Sequence, residues 1–173
     1  MSRTGKCIMI FGLSGAGKST LSKIIHKRVE NKIGKTVILD GNNIRELLKS
    51  VGQNFGFEKK ERTKSAKPTT HIINLFLDQN INVIYNNIGL NKKAHSYWNK
   101  NIKNLINVYV KADVKNIINF GKKREIYRLK KNVVGIHIKP EIPKMIDIKV
   151  LNDFNRPLKV IGDELFKKIK KFL

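Results

Sequence analysis

The chain has 173 residues and a formal net charge of +23, with 36 lysines and arginines against 13 aspartates and glutamates. This length supports a single domain over residues 1–173 and is too short for two ordinary domains. One cysteine excludes a disulfide framework, and no run approaches the roughly 20 apolar residues of a membrane span. We therefore expect a cytoplasmic protein with no membrane partner.

Short apolar runs alternate with helical patterns along the chain. The runs that predict strands are 7–11, 36–39, 81–85, 105–110 and 146–151. The patterns that predict helices are 19–33, 42–51, 58–80, 92–104, 113–120 and 157–172, the third irregular near Pro68. Such alternation predicts an α/β fold of three layers, α/β/α, with a central parallel sheet.

The first strand runs directly into a glycine-rich turn. Residues 12–20 read GLSGAGKST and match the phosphate-binding pattern G-x-x-x-x-G-K-[ST]. In this phosphate loop, backbone N–H groups and a helix N-terminus cradle phosphate oxygens, so we expect ATP or GTP to bind. Lys18 would reach the β- and γ-phosphates, and Ser19 would ligate Mg²⁺. The predicted phosphate-binding residues are Gly12, Ser14, Gly15, Ala16, Gly17, Lys18, Ser19 and Thr20.

A polar cluster follows the second predicted strand. Asp40 comes where a parallel strand ends beside the phosphate loop, which is where substrates bind in such sheets. Its carboxylate can accept the proton of an attacking hydroxyl or hold Mg²⁺ through water, and Arg45 can bind an acceptor phosphate or sulfate. Alternatively, Asp40 or Asn42 serves only as a helix cap.

Residues 121–143 form a basic segment between a predicted helix and the last predicted strand. This lid segment contains Gly135, Pro140 and Pro143, which favour a mobile loop. In a phosphoryl-transfer enzyme a lid lies at this place. Its basic residues would then contact phosphates: Lys122, Lys123, Arg124, Arg128, Lys130 and Lys131.

The basic residues are otherwise spread along the chain. Nucleic-acid binders concentrate them in a stripe with interleaved aromatics, and this chain clusters them only at 122–131 and in its tail. The spread indicates a solvated basic surface and no specific nucleic-acid partner.

Four segments, in this order, resemble the adenylylsulfate kinase family over nearly the whole chain. They are GLSGAGKST at 12–20, LDGNNIR at 39–45, GFEKKER at 56–62 and KNVVGIH at 131–137, the last followed by KPEIP at 139–143. The resemblance implies a P-loop, nucleoside-kinase-like fold, a homodimer, and transfer of the ATP γ-phosphoryl group to the ribose 3′-hydroxyl of a small nucleotide acceptor. It makes Asp40 and Lys18 the catalytic residues. The acceptor-binding residues would be Asn43, Arg45, Phe57, Arg62, Ser65, Val133 and Val134.

Departures from the family pattern fall mostly on the acceptor side. Asn42 replaces a second aspartate, residues 63–68 read TKSAKP where the family has an asparagine and paired arginines, and Val133–Val134 replace Phe-Thr. His137 stands in place of an aspartate, and Phe120–Gly121 in place of an Arg-Asp pair near the donor adenine.

These departures bear on the identity of the acceptor. Some relatives in capsule-polysaccharide pathways phosphorylate cytidine diphosphoramidate, whose base has one ring and which carries no sulfate. We expect this acceptor, because the pocket residues that would recognise adenine and sulfate are altered. The alternative is adenylylsulfate. A second alternative is a non-catalytic nucleotide- or nucleic-acid-binding protein that kept the phosphate loop.

Overall fold

The computed structural model describes residues 5–173, apart from the side chain of Leu129. Within these residues one parallel sheet contains five strands in the order β2-β3-β1-β4-β5. The strands are β1 Cys7–Phe11, β2 Thr36–Asp40, β3 Asn82–Asn87, β4 Leu105–Lys111 and β5 Ile148–Leu151. The central strand β1 is buried along its whole length, which explains why it is apolar at every position.

Helices cover both faces of the sheet. They are α1 Lys18–Ile33, α2 Gly41–Ser50, α3 Lys59–Lys64, α4 Ala66–Leu77, α5 Lys92–Asn101, α6 Val114–Phe120, α7 Arg124–Leu129 and α8 Leu158–Ile169. Ile8 and Ile10 of β1 belong to the core beneath α1 and α8, whereas Cys7 and Met9 belong to the core beneath α2, α4 and α5. The predicted α/β/α layering and parallel sheet are therefore confirmed. None of the helices within residues 5–173 is long and apolar enough to cross a bilayer.

Two predicted strands are longer than their apolar runs. β2 extends to Asp40, and β3 starts at Asn82 and extends to Asn87. The backbone hydrogen bonds between neighbouring strands continue through polar residues, beyond the point where the apolar run ends. As a result, Asp40 and Asn86 lie opposite one another at the carboxyl edge of the sheet.

The single helix predicted over 58–80 is wrong. Two helices occupy this range, α3 and α4, and they meet at Ser65. Pro68 lies in the first turn of α4, where a missing backbone N–H costs nothing, so the break falls before the proline. The change of direction lets α3 contact α5.

The lid segment contains more structure than the mobile loop that its composition predicts. It contains helix α7 and a turn in which the N–H groups of Gly135 and Ile138 bond within residues 133–138. Tyr127, Val133 and Val134 are buried in the core cluster, and the Tyr127 hydroxyl donates to the Ser14 carbonyl over 2.7 Å. Apolar anchors and one hydrogen bond to the phosphate loop thus hold this basic segment in place.

Candidate active site

A cavity of about 500 Å³ opens at the carboxyl edge of the sheet. Its wall brings together the phosphate loop, the start of α2, residues of the 55–65 segment, the end of β3 and the start of α8. Ligands in parallel α/β sheets bind at this edge, because the loops after the strands converge there. The predicted site residues in this wall are Ser14, Gly15, Gly17, Lys18, Ser19, Thr20, Asp40, Arg45, Phe57, Arg62, Ser65, Lys122, Lys123 and Val134.

The phosphate loop has the backbone that its sequence predicts. Gly15 and Gly17 have φ angles of 79° and 97°, in the left-handed region that favours glycine. At Gly12 a Cβ would lie 2.3 Å from the carbonyl oxygen of Val110, so only glycine fits between β1 and β4. Gly17 directly precedes α1, and the helix N-terminus therefore faces the cavity.

Lys18 is held across the loop. Its Nζ donates to the carbonyls of Gly12 and Leu13 over 3.0 and 2.7 Å. The pKa of Lys18 is lowered to about 8, first by burial and then by the positive charge of Lys123, and Asp40 partly opposes both effects. A buried ammonium close to a second lysine is a site that phosphate oxygens would stabilise, and their negative charge would raise this pKa again.

Asp40 caps a helix and also contacts the phosphate loop. Its Oδ1 accepts from the backbone N–H of Asn42 over 3.0 Å and caps α2, and its Oδ2 accepts from the Ser19 hydroxyl over 3.1 Å. A hydroxyl beside a carboxylate offers the hard oxygen ligands that Mg²⁺ prefers. Within residues 5–173 no three His, Cys, Asp or Glu side chains form a metal cluster. This donor set therefore fits an ion that is held largely by substrate phosphates and water.

Two arginines lie close to one phenylalanine in the cavity wall. The guanidinium carbons of Arg45 and Arg62 lie 4.7 and 5.6 Å from the ring centroid of Phe57. Arg45 donates to the carbonyls of Phe55 and Gly56, and Arg62 to those of Phe57 and Asn132. Burial, followed by the charge of Arg45, lowers the pKa of Arg62 to about 10. Neutral carbonyls leave both positive charges uncompensated, so an anion would be stabilised here.

Several predicted site residues lie outside the cavity wall. The N–H of Gly12 donates to the Ile88 carbonyl, and that of Ala16 to Leu13, so these two groups brace the loop. Asn43 lines a separate, smaller cavity between β2, α2 and α4, because helical geometry turns it away from Arg45. Val133 is buried against the core, while its neighbour Val134 reaches the wall. Four of the six predicted lid cations are exposed outside the wall: Arg124, Arg128, Lys130 and Lys131.

The sequence reasoning missed other residues of the wall. Asn86 and Asn87 were placed beyond the third predicted strand, although two polar residues directly after an apolar run could have indicated a strand end at the site. Phe154, which follows β5, was also missed, and its ring lies at a tilt to that of Phe120, which is 68% exposed and which the family resemblance had placed near the donor adenine. Asn152 directly follows β5 and contacts the phosphate loop, because its Nδ2 donates to the Ala16 carbonyl. Local sequence patterns do not show that this end of β5 lies beside the phosphate loop.

Comparison with known proteins identifies the family. The family model described as adenylylsulphate kinase matches residues 4–151. The chain belongs to the adenylylsulphate kinase family. It is an ATP-dependent phosphotransferase of the nucleotide 3′-kinase type, and the resemblance, the P-loop kinase fold and the enzyme class predicted from the sequence are confirmed.

Relatives with two different acceptors resemble the chain. The cytidine diphosphoramidate kinase of Campylobacter jejuni subsp. jejuni is 25% identical over 165 residues, which cover 91% of this chain and 95% of that protein. The adenylyl-sulfate kinase of Clostridium kluyveri is 31% identical over 159 residues, 87% of this chain and 76% of that one. The solved APS kinase of Mycobacterium tuberculosis in complex with AMPPNP and APS has the same fold, with a TM-score of 0.80 at 20% identity over 98% of this chain and 99% of that chain.

Proposed function

We propose that the kinase phosphorylates the ribose 3′-hydroxyl of cytidine diphosphoramidate, for capsular polysaccharide phosphoramidate synthesis. The observation that carries this proposal is the pair of uncompensated guanidiniums of Arg45 and Arg62, whose central carbons lie 4.7 and 5.6 Å from the ring centroid of Phe57. The negative charges on the two phosphoryl groups of this acceptor match the positive charges of the two guanidiniums. The resemblance to the Campylobacter jejuni kinase over 91% of this chain supports the same acceptor.

The transfer follows from the charges in the cavity. Lys18 and the loop N–H groups hold the β- and γ-phosphates, and Mg²⁺ held by Ser19 and, through water, by Asp40 would neutralise part of their charge. As the oxygen of the 3′-hydroxyl bonds to the γ-phosphorus, Asp40 accepts the proton of that hydroxyl. The bond from that phosphorus to the bridging oxygen breaks, and ADP leaves with the electron pair. Lys123, next to Lys18, offsets the charge that develops during this step.

The base side of the pocket favours a small ring. Phe57 is 50% exposed and offers one aromatic face, and the other predicted contact is the aliphatic Val134. Cytosine has one ring and adenine has two. A single phenylalanine therefore covers a larger fraction of the face of a cytosine than of an adenine. Ser65 lines the same wall, and its hydroxyl donates to the Arg62 carbonyl, which fixes the turn between α3 and α4.

Adenylylsulfate is the second candidate acceptor. Its phosphate and sulfate would also satisfy two arginines, and the Clostridium kluyveri adenylyl-sulfate kinase is 31% identical to this chain. A non-catalytic role is not retained, because the chain is a phosphotransferase of this family. The homodimer that the family resemblance implies stays a prediction.

We expect kcat/KM for cytidine diphosphoramidate to exceed that for adenylylsulfate by about 10²–10⁴, since each changed pocket contact is worth about 1–3 kcal/mol of discrimination. Both acceptors should be assayed at one saturating Mg-ATP concentration, with the phosphorylated position assigned by ³¹P and ¹H NMR. Arg62→Ala should lower kcat/KM for the preferred acceptor, and Lys60→Ala on the same helix should not. A higher kcat/KM for adenylylsulfate would make the second candidate correct.

Substrates should protect the lid segment from proteolysis. We expect trypsin to cut at exposed basic residues of 121–131 in the free protein, and the rate to fall at least about tenfold with an ATP analogue and acceptor, because closure places Lys122 and Lys123 on phosphates. The exposed Lys167 and Lys168 of α8 supply the internal control, since their cleavage rate should not change. Equal protection of both regions, or of neither, would argue against a lid.

A further inference from the structure

Four buried polar atoms of residues in the cavity wall have no hydrogen-bond partner within residues 5–173. They are Nε1 of Trp98, Nδ2 of Asn86, and both Nδ2 and Oδ1 of Asn87. Buried carboxamide atoms are nearly always hydrogen-bonded, because an unmade bond leaves their loss of water uncompensated. Two consecutive carboxamides in this condition, both in one cavity wall, point to a ligand that supplies the missing partners.

The two asparagines lie where donor and acceptor meet. They end β3, with Asn86 opposite Asp40 of β2 and Asn87 opposite Phe11 of β1. A Cβ built on Gly41 would lie 3.5 Å from the Cβ of Asn87, so this side chain is next to the residue that follows Asp40. Asn87 therefore lies between the phosphate loop and α2, close to the carboxylate that accepts the proton.

Neighbouring residues hold this pair in place. The Oδ1 of Asn86 accepts from the hydroxyl of Ser22 on α1, which leaves its Nδ2 as a free donor. At Gly89, with a φ of 60°, a Cβ would lie 2.5 Å from Oδ1 of Asn87. Any other residue at position 89 would displace the Asn87 carboxamide, so the wall is shaped around this side chain.

The kind of hydrogen bond that is missing excludes an anionic group as the only partner of Asn87. Asn87 presents a donor and an acceptor side by side, and exchanging the O and N of its amide leaves the same pair. Phosphate and sulfate oxygens only accept, so either group would leave Oδ1 of Asn87 unpaired. A hydroxyl both donates and accepts, so a single ribose hydroxyl can donate to Oδ1 and accept from Nδ2 of the same carboxamide.

We propose that Asn87 binds the acceptor ribose through the 2′-hydroxyl next to the attacking 3′-hydroxyl, and so selects ribose over 2′-deoxyribose. This inference rests on the proposed transfer to a 3′-hydroxyl. It makes Asn87 a specificity residue for the sugar, separate from the residues that bind the acceptor's anionic groups and its base. The bond to the 2′-hydroxyl orients the neighbouring 3′-oxygen towards the γ-phosphorus, and Asp40 takes its proton.

The test compares ribose and 2′-deoxyribose acceptors in wild type and Asn87→Ala. Cytidine diphosphoramidate, adenylylsulfate and their 2′-deoxy counterparts are assayed at saturating Mg-ATP. Wild type should prefer the ribose form by about 10–100-fold in kcat/KM, as expected for one pocket hydrogen bond. In Asn87→Ala we expect the value for the ribose form to fall by a similar factor, that for the deoxy form to change less than about threefold, and the preference to approach one.

Several readouts separate this role from a structural one. Asn87→Ala should keep the wild-type Tm or exceed it, because it removes unpaired polar atoms, and its Kd for an ATP analogue should not change. Asn87→Leu, close in size and without hydrogen-bonding groups, serves if the alanine variant does not fold. Asn31→Ala on the exposed end of α1 is the control and should keep the wild-type preference.

Two outcomes would overturn the inference in different ways. If Asn87→Ala keeps the wild-type preference for ribose, Asn87 does not bind the 2′-hydroxyl, and the proposed function is untouched. If wild type phosphorylates neither ribose acceptor at its 3′-hydroxyl, the proposed function fails and the inference fails with it. Calorimetry of each ribose and deoxy acceptor in the presence of a non-hydrolysable ATP analogue reports the same preference as a ratio of Kd values, without catalysis.

Discussion

Asp40→Asn is expected to lower kcat by about 10²–10⁴, which is the usual contribution of a positioned general base. Its carboxylate contacts the Ser19 hydroxyl at 3.1 Å and is in the cavity wall, so it can reach the acceptor hydroxyl that must lose a proton. Asparagine keeps the size of the side chain and is an equally good helix N-cap. The bond to the backbone N–H of Asn42 is therefore kept, and the loss reports on the carboxylate alone. Pre-steady-state quench-flow measures the chemical step directly.

The control for Asp40→Asn is Asp78→Asn. Asp78 is exposed at the end of α4 and is outside the cavity wall, so the same loss of one negative charge should leave kcat within about twofold. Thermal unfolding should give both variants the wild-type Tm within a few degrees. Near-normal turnover by Asp40→Asn would show that the proton leaves without this carboxylate, and the proton would then pass directly to water or to phosphate.

Lys18→Ala should lower kcat by about 10²–10³ and also weaken ATP binding, because a positioned charge on the γ-phosphate stabilises the transition state more than the ground state. Its ammonium spans the loop between the carbonyls of Gly12 and Leu13, and these contacts place it over the phosphate position. With a pKa near 8, Lys18 is protonated at pH 7 and carries the charge this role needs. Steady-state kinetics over a range of ATP concentrations separates the effect on kcat from that on KM.

Lys23→Ala is the matched control for Lys18→Ala. Both residues lie on α1, but Lys23 is exposed and outside the cavity wall, so its loss should not change KM for ATP. Lys18→Arg adds a second comparison. It keeps the charge on a larger, planar group, and we expect it to recover only part of the activity, because the loop is closely packed around an ammonium. Full activity of Lys18→Ala would exclude this residue from the reaction.

Local sequence patterns determined the fold class and the donor side of the site. The phosphate loop is one continuous segment, so its glycines, Lys18 and Ser19 could be placed from residues 12–20 alone. Apolar runs separated by amphipathic helices specify a parallel sheet, because each run must be buried on both faces. The break at Ser65 could not be placed in this way, because α3 and α4 both have helical patterns and the change of direction between them exists only in the folded chain, where both helices contact α5.

The tertiary structure decided which of the candidate residues meet. Asn86 reaches Asp40 because β2 and β3 are adjacent, and strand order depends on contacts between residues far apart in the sequence. The direction of the Asn43 side chain depends on where α2 begins, and the Asp40 cap sets this boundary. Asn43 therefore lines the smaller cavity instead of the main one. The phosphate loop is local, so the sequence alone predicted ATP or GTP as the donor, and the family resemblance implied ATP. Pairing across the sheet was needed to locate the Asn86–Asn87 pair, since no local pattern records which strands become neighbours.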